Sequence, residues 1–394
     1  MFFKDIVKTF LSKGLILFLN FLILILTTNF WGTEGRGIIS IIMADLAIIA
    51  IFNNVLAGSS ITYLIPRVGL SILMLPGYIW IVFCTLVVAA FFSIFQGHHN
   101  YILIIALTLP TSFLSMNLLA FVGKEKINHF NLLNLLTPII FLVFTLIFVY
   151  IIKIKSVNAY LYGYFVSQTI VFLISFKLLK PYIKKEKVAF SKEMLQQTFR
   201  YGLKNELSYL IQFLNYRLSY FFILYFQSIE AVGLFSVAIA LAESIWLVNK
   251  SITTVQFAKI VNLIDKQDTA IELTKKSTKL SFYASVIMFA IVLLIPSKIY
   301  GLAFGHDFRM VKQLLFLLMP GILSMAISNV YGHYFAATNQ MRILIMKSSL
   351  GLIITVLCSI ILIPLWGLNG ACIVTSISYL SSSVYLFFSF NSRK

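Results

Sequence analysis

Five ionisable side chains, Asp45, Glu206, Arg217, Glu243 and Lys250, stand inside stretches otherwise rich in apolar residues. At the centre of a bilayer such a charge costs at least about 2.5–3.5 kcal/mol, so each must be paired or face water. Two of them match in depth. Arg217 precedes the outer end of its stretch at Phe226 by nine residues, and Glu243 follows the start of the next at Gly233 by ten. At ~1.5 Å per residue both lie roughly 13–15 Å deep. Spans joined by a short turn are antiparallel neighbours, so an Arg217–Glu243 ion pair is expected. Glu206 and Arg217 are eleven residues apart and Glu243 and Lys250 seven, spacings that keep each pair on one helix face. The four charges then make two rungs of opposite sign along one seam. Two readings stand side by side. The seam lines a cavity in which Arg217 and Lys250 hold an anionic group, or it is a structural pair that fastens two spans.

Weaker candidates surround these. Asp45 is followed two turns later by Asn53 and Asn54. An acid with amides is a candidate site for a coupling Na⁺ or H⁺, and amides equally serve as interhelical glue. Gln212, Asn215, Tyr216, Asn249, Asn329 and His333 offer hydrogen bonds to a polar substrate. His98-His99 lacks a third ligand, so no metal site is expected, and no cofactor is implied beyond the coupling ion. Cys84, Cys358 and Cys372 all fall in apolar stretches and imply no disulfide framework.

The elements that must position these residues follow from composition. Charged residues make up 11% of the 394 and hydrophobic residues 60%, with a mean hydropathy of +0.95. A soluble domain averages roughly 25% charged and 45–50% apolar, which excludes a soluble enzyme and a nucleic-acid binder. The aromatic content of 15% excludes disorder. Runs of ~20 apolar residues mark spanning helices, and twelve are expected. The first six are Leu11–Phe30, Ile38–Ile65, Leu73–Phe95, Ile102–Val122, Leu132–Ile152 and Ala159–Leu179. The second six are Leu203–Phe226, Gly233–Phe257, Leu280–Tyr300, Gln313–Ala337, Leu344–Pro364 and Leu368–Phe390. The fold class is therefore an all-α polytopic membrane protein of about twelve helices in two six-helix bundles.

The net charge of +18 arises from 31 Lys+Arg against 13 Asp+Glu. With the N-terminus inside, about three-quarters of the basic residues fall in cytoplasmic loops, so both termini are expected in the cytoplasm. The first span has a basic start, but its apolar run is too long for a signal peptide and Asn29-Phe30-Trp31 is no cleavage site. Residues 1–180 are expected to form one bundle and 203–394 another. Between them, 181–202 is a basic cytoplasmic linker in which Ser191 caps a segment carrying Met194, Leu195, Thr198 and Phe199 on one face.

An offset of 196 positions pairs Phe30 with Phe226, Glu34 with Glu230, Gly37 with Gly233, Ser40 with Ser236 and Ala44 with Ala240. An offset of 211 pairs Asn158 with Asn369 and Ser167 with Ser378. Six spans per half is an even number, so the copies enter from the same side as parallel repeats. Such repeats are an architecture of transporters, whose site lies near the midplane.

Five stretches carry a family resemblance. They are Trp31-Gly32-Thr33-Glu34-Gly35-Arg36-Gly37-Ile38-Ile39-Ser40; Tyr63-Leu64-Ile65-Pro66-Arg67; Phe190-Ser191-Lys192-Glu193-Met194 through Tyr201-Gly202-Leu203; Glu230-Ala231-Val232-Gly233-Leu234-Phe235-Ser236; and Pro364-Leu365-Trp366-Gly367-Leu368-Asn369-Gly370-Ala371. In order and position the chain resembles the Wzx-type polysaccharide (O-antigen) flippases, whose superfamily also holds multidrug exporters of the MATE type. The resemblance implies two MATE-like bundles working by alternating access in a bacterial inner membrane. It implies a lipid-linked (undecaprenyl-diphosphate) oligosaccharide as substrate, a monomer among membrane lipids, and contact with the polysaccharide polymerase machinery. The alternative is a cation-coupled drug exporter. Drug exporters for cationic substrates want acidic cavities, whereas the mid-membrane charges here are balanced or basic. A membrane enzyme would need catalytic groups in its outer loops, and those loops hold only scattered polar residues.

Overall fold

In hydrocarbon each backbone N–H and C=O must be satisfied within its own segment, and regular structure among the described residues is helical. The computed structural model describes residues 2–96, 101–183, 192–261, 267–338 and 340–392. In order the helices are α1 (Phe2–Ala57), α2 (Ser59–Val68), α3 (Leu70–Gln96), α4 (Tyr101–Gly123), α5 (Ile127–Leu146), α6 (Asn158–Ile183), α7 (Lys192–Phe226), α8 (Ile229–Ser244), α9 (Trp246–Val261), α10 (Gln267–Leu294), α11 (Ser297–Phe304), α12 (Val311–Ala337) and α13 (Met341–Asn391). A π-helical turn follows α5 and a 3₁₀ turn precedes α12.

With 56 and 51 residues, α1 and α13 would be roughly 75–85 Å long if straight, against a hydrocarbon core of about 30 Å. Each is broken by one glycine in the left-handed region, Gly32 at φ 62° and Gly367 at φ 56°. Helix runs up to each glycine from both sides, so each long helix contributes two spans. The expected outer turn around Trp31–Gly37 is therefore a single-residue break. Among the described residues, eight stretches are long and apolar enough to cross a membrane, or nine if α8 and α9 count as one bent span. Resolving α1 and α13 into two each, and adding α7, which carries several polar side chains, accounts for the twelve.

Three expected spans are interrupted. The second breaks at Gly58, between α1 and α2. The ninth begins earlier and ends at Leu294, before Pro296 and α11. The eighth bends by 47° between α8 and α9.

Two compact units form, one of Met1–Phe30 with Ile42–Leu210 and one of Trp31–Ile41 with Ile211–Lys394. The unit boundary thus falls inside α7, and residues 31–41 group with the second half. Of the segment expected as an amphipathic linker, residues 184–191 lie outside the described residues, as does His98-His99. From Lys192 onward it is the start of α7; there Phe199 meets Trp80 edge-on at 5.5 Å and Gly202 crosses the backbone of Val55. The first unit packs Leu70, Met116, Phe121, Leu133 and Val171 into its core.

The second unit is packed through small and hydroxylic residues. Thr274, Ser277, Ser281 and Ser285 line the buried side of α10, and Gly351, Thr355 and Ser359 that of α13. Such residues let helices approach closely and bond across the gap. The repeat is visible in one contact of this unit. A Cβ on Gly37 would fall 1.9 Å from the carbonyl oxygen of Ile229, and one on Gly233 would fall 1.9 Å from that of Thr33. The 196-residue offset maps each of these contacts onto the other, so the two glycines cross reciprocally.

Candidate functional site

The site is built on α8, α9, α13 and the part of α7 from Ile211 onward, all in the second unit. Arg217 of α7 donates from both terminal nitrogens to Glu243 of α8, Nη1 to Oε1 and Nη2 to Oε2, each at 2.8 Å. This is the bidentate fork that makes Arg–carboxylate pairs strong. The side chains keep 27% and 20% of their surface exposed, so the pair is half-buried. Its cation lies 5.5 Å over the ring of Tyr220, whose edge meets Phe235.

Glu243 occupies the last turn of α8, immediately before the bend. A helix C-terminus carries partial negative charge from its unpaired carbonyls. Arg217 therefore meets a formal negative charge and a dipole end together.

An aromatic group surrounds the bend. Tyr379 stands 5.5 Å edge-on from Tyr216 and 6.0 Å from Trp246, and Tyr216 and Trp246 are 6.2 Å apart. The indole of Trp246 donates to the carbonyl of Ile322, and Gln212 donates to the Tyr216 hydroxyl at 3.2 Å. Asn215 fixes the register of α7 against α13: its Oδ1 accepts from Thr355 at 3.0 Å and from Ser378 at 2.8 Å. Gly351 makes room for it, since a Cβ there would fall 2.5 Å from the Asn215 amide nitrogen.

The two-rung seam is not what the second unit contains. Glu206 belongs to the first unit, where it is buried, accepts from Asn205 at 3.2 Å and lies against Gly58. Lys250 is exposed on α9 beside exposed Ser251 and Thr254. Seven-residue spacing puts Glu243 and Lys250 on one face only in an unbroken helix, and the bend at Ser244–Ile245 breaks it. Asn249 is likewise no cavity residue: it is fully buried, and its Oδ1 accepts from Ser281 and from Ser285 of α10. His333 binds the carbonyl of Asn329 on its own helix.

In the first unit Asp45 is fully buried. Asn53 is too; its Nδ2 donates to Thr85 at 3.0 Å and to Ser112 at 2.9 Å, while its Oδ1 has no hydrogen-bond partner. Asn54 is half-buried at the end of α1. Helix α1 is continuous from Asp45 to Asn53, so the two are about 12 Å apart along its axis. One small cation cannot touch both, and the three residues do not form one ion shell.

Nothing in the sequence singles out Tyr220, Trp246 or Tyr379, and Lys347, near the start of its expected span, reads as one of the cytoplasmic loop charges. Lys347 is instead 6% exposed on α13, with its backbone carbonyl accepting from Ser382. Among the described residues its ammonium has no partner. A lysine inside an expected span boundary (Leu344–Pro364) was the available signal. Among the described residues no three His, Cys, Asp or Glu side chains gather as metal ligands.

The family described as "Polysaccharide biosynthesis protein" matches residues 60–313. The chain belongs to this family. No curated protein sequence matches it significantly. Solved structures share its fold. An inward-facing multidrug resistance MATE family transporter of the MOP superfamily is 15% identical, with a TM-score of 0.71 over 98% of this chain and 94% of that one. The lipid II flippase MurJ in an inward closed conformation is 15% identical, with a TM-score of 0.67 over 99% and 87%. A MOP superfamily transporter from Pyrococcus furiosus, described as having a binding pocket of reverse polarity that suggests a different function, is 15% identical with a TM-score of 0.66 over 98% and 94%. The chain is thus a multi-pass membrane protein of that family with a MATE-like fold. The resemblance carried by the Trp31–Ser40 and Glu230–Ser236 stretches agrees with the family match.

Proposed function

We propose that this chain is a flippase that moves a lipid-linked (undecaprenyl-diphosphate) oligosaccharide from the cytoplasmic to the outer leaflet of a bacterial inner membrane, by alternating access, for surface polysaccharide assembly. The observation that carries the reading is the Arg217–Glu243 fork at the broken end of α8, half-buried at mid-helix depth. A pyrophosphate can accept both guanidinium N–H donors of Arg217 through two of its oxygens, as the carboxylate does. It competes for the guanidinium, and release follows when Glu243 recaptures it. Exposed Lys250, flanked by Ser251 and Thr254, adds a second cation on a polar helix face. The half-buried ring of Tyr216, backed by buried Trp246 and Tyr379, suits the apolar and sugar parts of such a substrate.

Asp45 is the coupling group in this reading, taking a proton or Na⁺, with Asn53 and its hydroxyl partners a separate polar contact. The protein acts as a monomer with both termini cytoplasmic, in reach of the polymerase that uses its product. A cation-coupled drug exporter is the second reading. The charge around Arg217 argues against it, because a cationic drug gains nothing from an arginine already neutralised and an exposed lysine.

The test is Arg217→Ala in a strain whose surface polysaccharide depends on this gene. Complementation should be lost while membrane abundance is retained, with lipid-linked glycan accumulating in the inner leaflet. If the protein disappears from the membrane, Arg217 is structural. Normal surface glycan with altered dye efflux supports drug export.

A further inference from the structure

Between α10 and α12 the chain folds into a hairpin with two apolar sides. Pro296 precedes α11, and Gly305 at φ 110° turns the chain into the 3₁₀ turn His306–Met310. Tyr300 and Phe304, one turn apart, face inward and are buried. Phe308 meets Phe304 at 6.3 Å, and the Tyr300 hydroxyl donates to the carbonyl of Val292 at 2.6 Å. The opposite face of α11 carries Lys298, Ile299 and Leu302, all exposed, Leu302 at 82%. Arg309 lies across this helix: a Cβ on Gly301 would fall 2.8 Å from its Cγ and 2.9 Å from its Nε. At ~100° per residue, the order around the exposed face is Gly301 with Arg309, then Lys298, then Leu302 and Ile299. Cations thus hold one edge and apolar side chains the other.

Helix α11 joins two stretches that are each long and apolar enough to cross a membrane, Gln267–Leu294 and His306–Ala337, so it lies at a membrane surface. In the orientation proposed above that surface is the outer one, where basic residues are scarce. Lys298, Arg309 and Lys312 nevertheless stand within one short stretch, and among the described residues none of them has a carboxylate partner. The acid of that stretch, Asp307, is 3.9 Å from His306. Topology does not ask for these three charges, and no ion pair uses them. We propose that residues 297–312 form an interfacial site for an anionic phospholipid, in which Leu302 and Ile299 enter the acyl region and Lys298, Arg309 and Lys312 hold the phosphate. Acyl chains cover the apolar edge whatever the lipid, so the cations decide which lipid sits there. The inference stands apart from the flippase reading, since it names no transported molecule.

The experiment uses the full chain in vesicles of phosphatidylcholine holding a minor fraction of phosphatidylglycerol, with brominated acyl chains on one lipid or the other. A bimane fluorophore is placed by Leu302→Cys or, as a control within the span of α10, by Ile287→Cys, also exposed. At position 302 brominated phosphatidylglycerol should quench about fivefold more than its mole fraction predicts, the order of one basic residue beside an anionic lipid. At position 287 it should quench in proportion to its mole fraction. Adding Lys298→Gln, Arg309→Gln and Lys312→Gln should remove the enrichment at 302 and leave 287 unchanged. The single Gln variants, each expected to lose part of the enrichment, decide the matter if the triple variant does not insert. Quenching at 302 in proportion to mole fraction overturns the inference, as does an enrichment that survives all three substitutions. No quenching by either lipid would place α11 outside the bilayer, and loss of the enrichment on adding inorganic phosphate would assign the cations to a free anion; either result also overturns it.

Discussion

Arg217 and Lys347 are two cations of the second unit with opposite circumstances. Arg217 has a carboxylate, a helix end and an aromatic face. Lys347, 6% exposed, has none of these among the described residues, and neither α12 nor α13 carries an acidic residue. An unpaired buried charge weakens the fold that holds it, by about 2–3 kcal/mol on membrane-insertion scales. Lys347→Met keeps the length of the side chain and removes the charge. It should raise the melting temperature of the purified protein by several degrees, and an unchanged or lower temperature would show that the ammonium has a partner. The pairing of Arg217 with Glu243 was legible from depth alone, because two charges at equal distance from one short turn can hardly avoid meeting. The burial of Lys347 was not. Six residues from the start of its helix, it reads as a loop charge, whereas the other half of α13 folds back to it, with Ser382 donating to its backbone carbonyl. Tyr379 lies far from Arg217 in sequence, and no local pattern joins them.

At the scale of the helix, apolar run length revealed the spans because the bilayer imposes one length on all of them. It did not reveal where a span breaks. Glycines mark the breaks at Gly32, Gly58 and Gly367, but the bend after α8 falls at Ser244-Ile245-Trp246 with neither glycine nor proline. Extrapolating helical periodicity across that bend placed Lys250 on the face of Glu243. Other glycines act through what they exclude. At Gly37 and Gly233 any Cβ lies 1.9 Å from a backbone carbonyl oxygen, so backbone must move. Gly37→Val and Gly233→Val should each destabilise the protein by more than about 2 kcal/mol. Because the offset repeat makes the contacts equivalent, the two losses should be similar in size. Gly14, with nothing within 4 Å of a Cβ, is the control: Gly14→Ala should leave thermal stability unchanged or slightly raised through helix propensity. Melting curves of the three variants decide it, and a tolerant Gly37→Val would mean that the reciprocal crossing is loose.

For the molecule as a whole, charge is the feature that spans all scales. Of the excess of basic over acidic residues, two side chains, Arg217 and Lys250, enter the proposed handling of an anionic substrate, and Lys298, Arg309 and Lys312 the proposed hold on lipid phosphate. The remainder is distributed by side, which is a statement about orientation rather than binding. Orientation matters here because the direction of flipping depends on which face first meets the substrate. The turn between α5 and α6, with Lys153 and Lys155 exposed, should face outward, and exposed Lys276 on α10 should face the cytoplasm. Cysteines at these positions report the side directly. The native background is favourable, since Cys84 and Cys372 are buried and Cys358 is only partly accessible within an apolar helix. In intact spheroplasts a membrane-impermeant maleimide should label Lys155→Cys and spare Lys276→Cys, and lysis should expose the second. The two sites lie in different units, so agreement between them also tests whether both halves enter from the same side, as a parallel repeat requires. Labelling of both before lysis would break that parallel arrangement. Labelling of Lys276→Cys alone would invert the whole protein and, with it, the leaflet from which the lipid-linked glycan is taken.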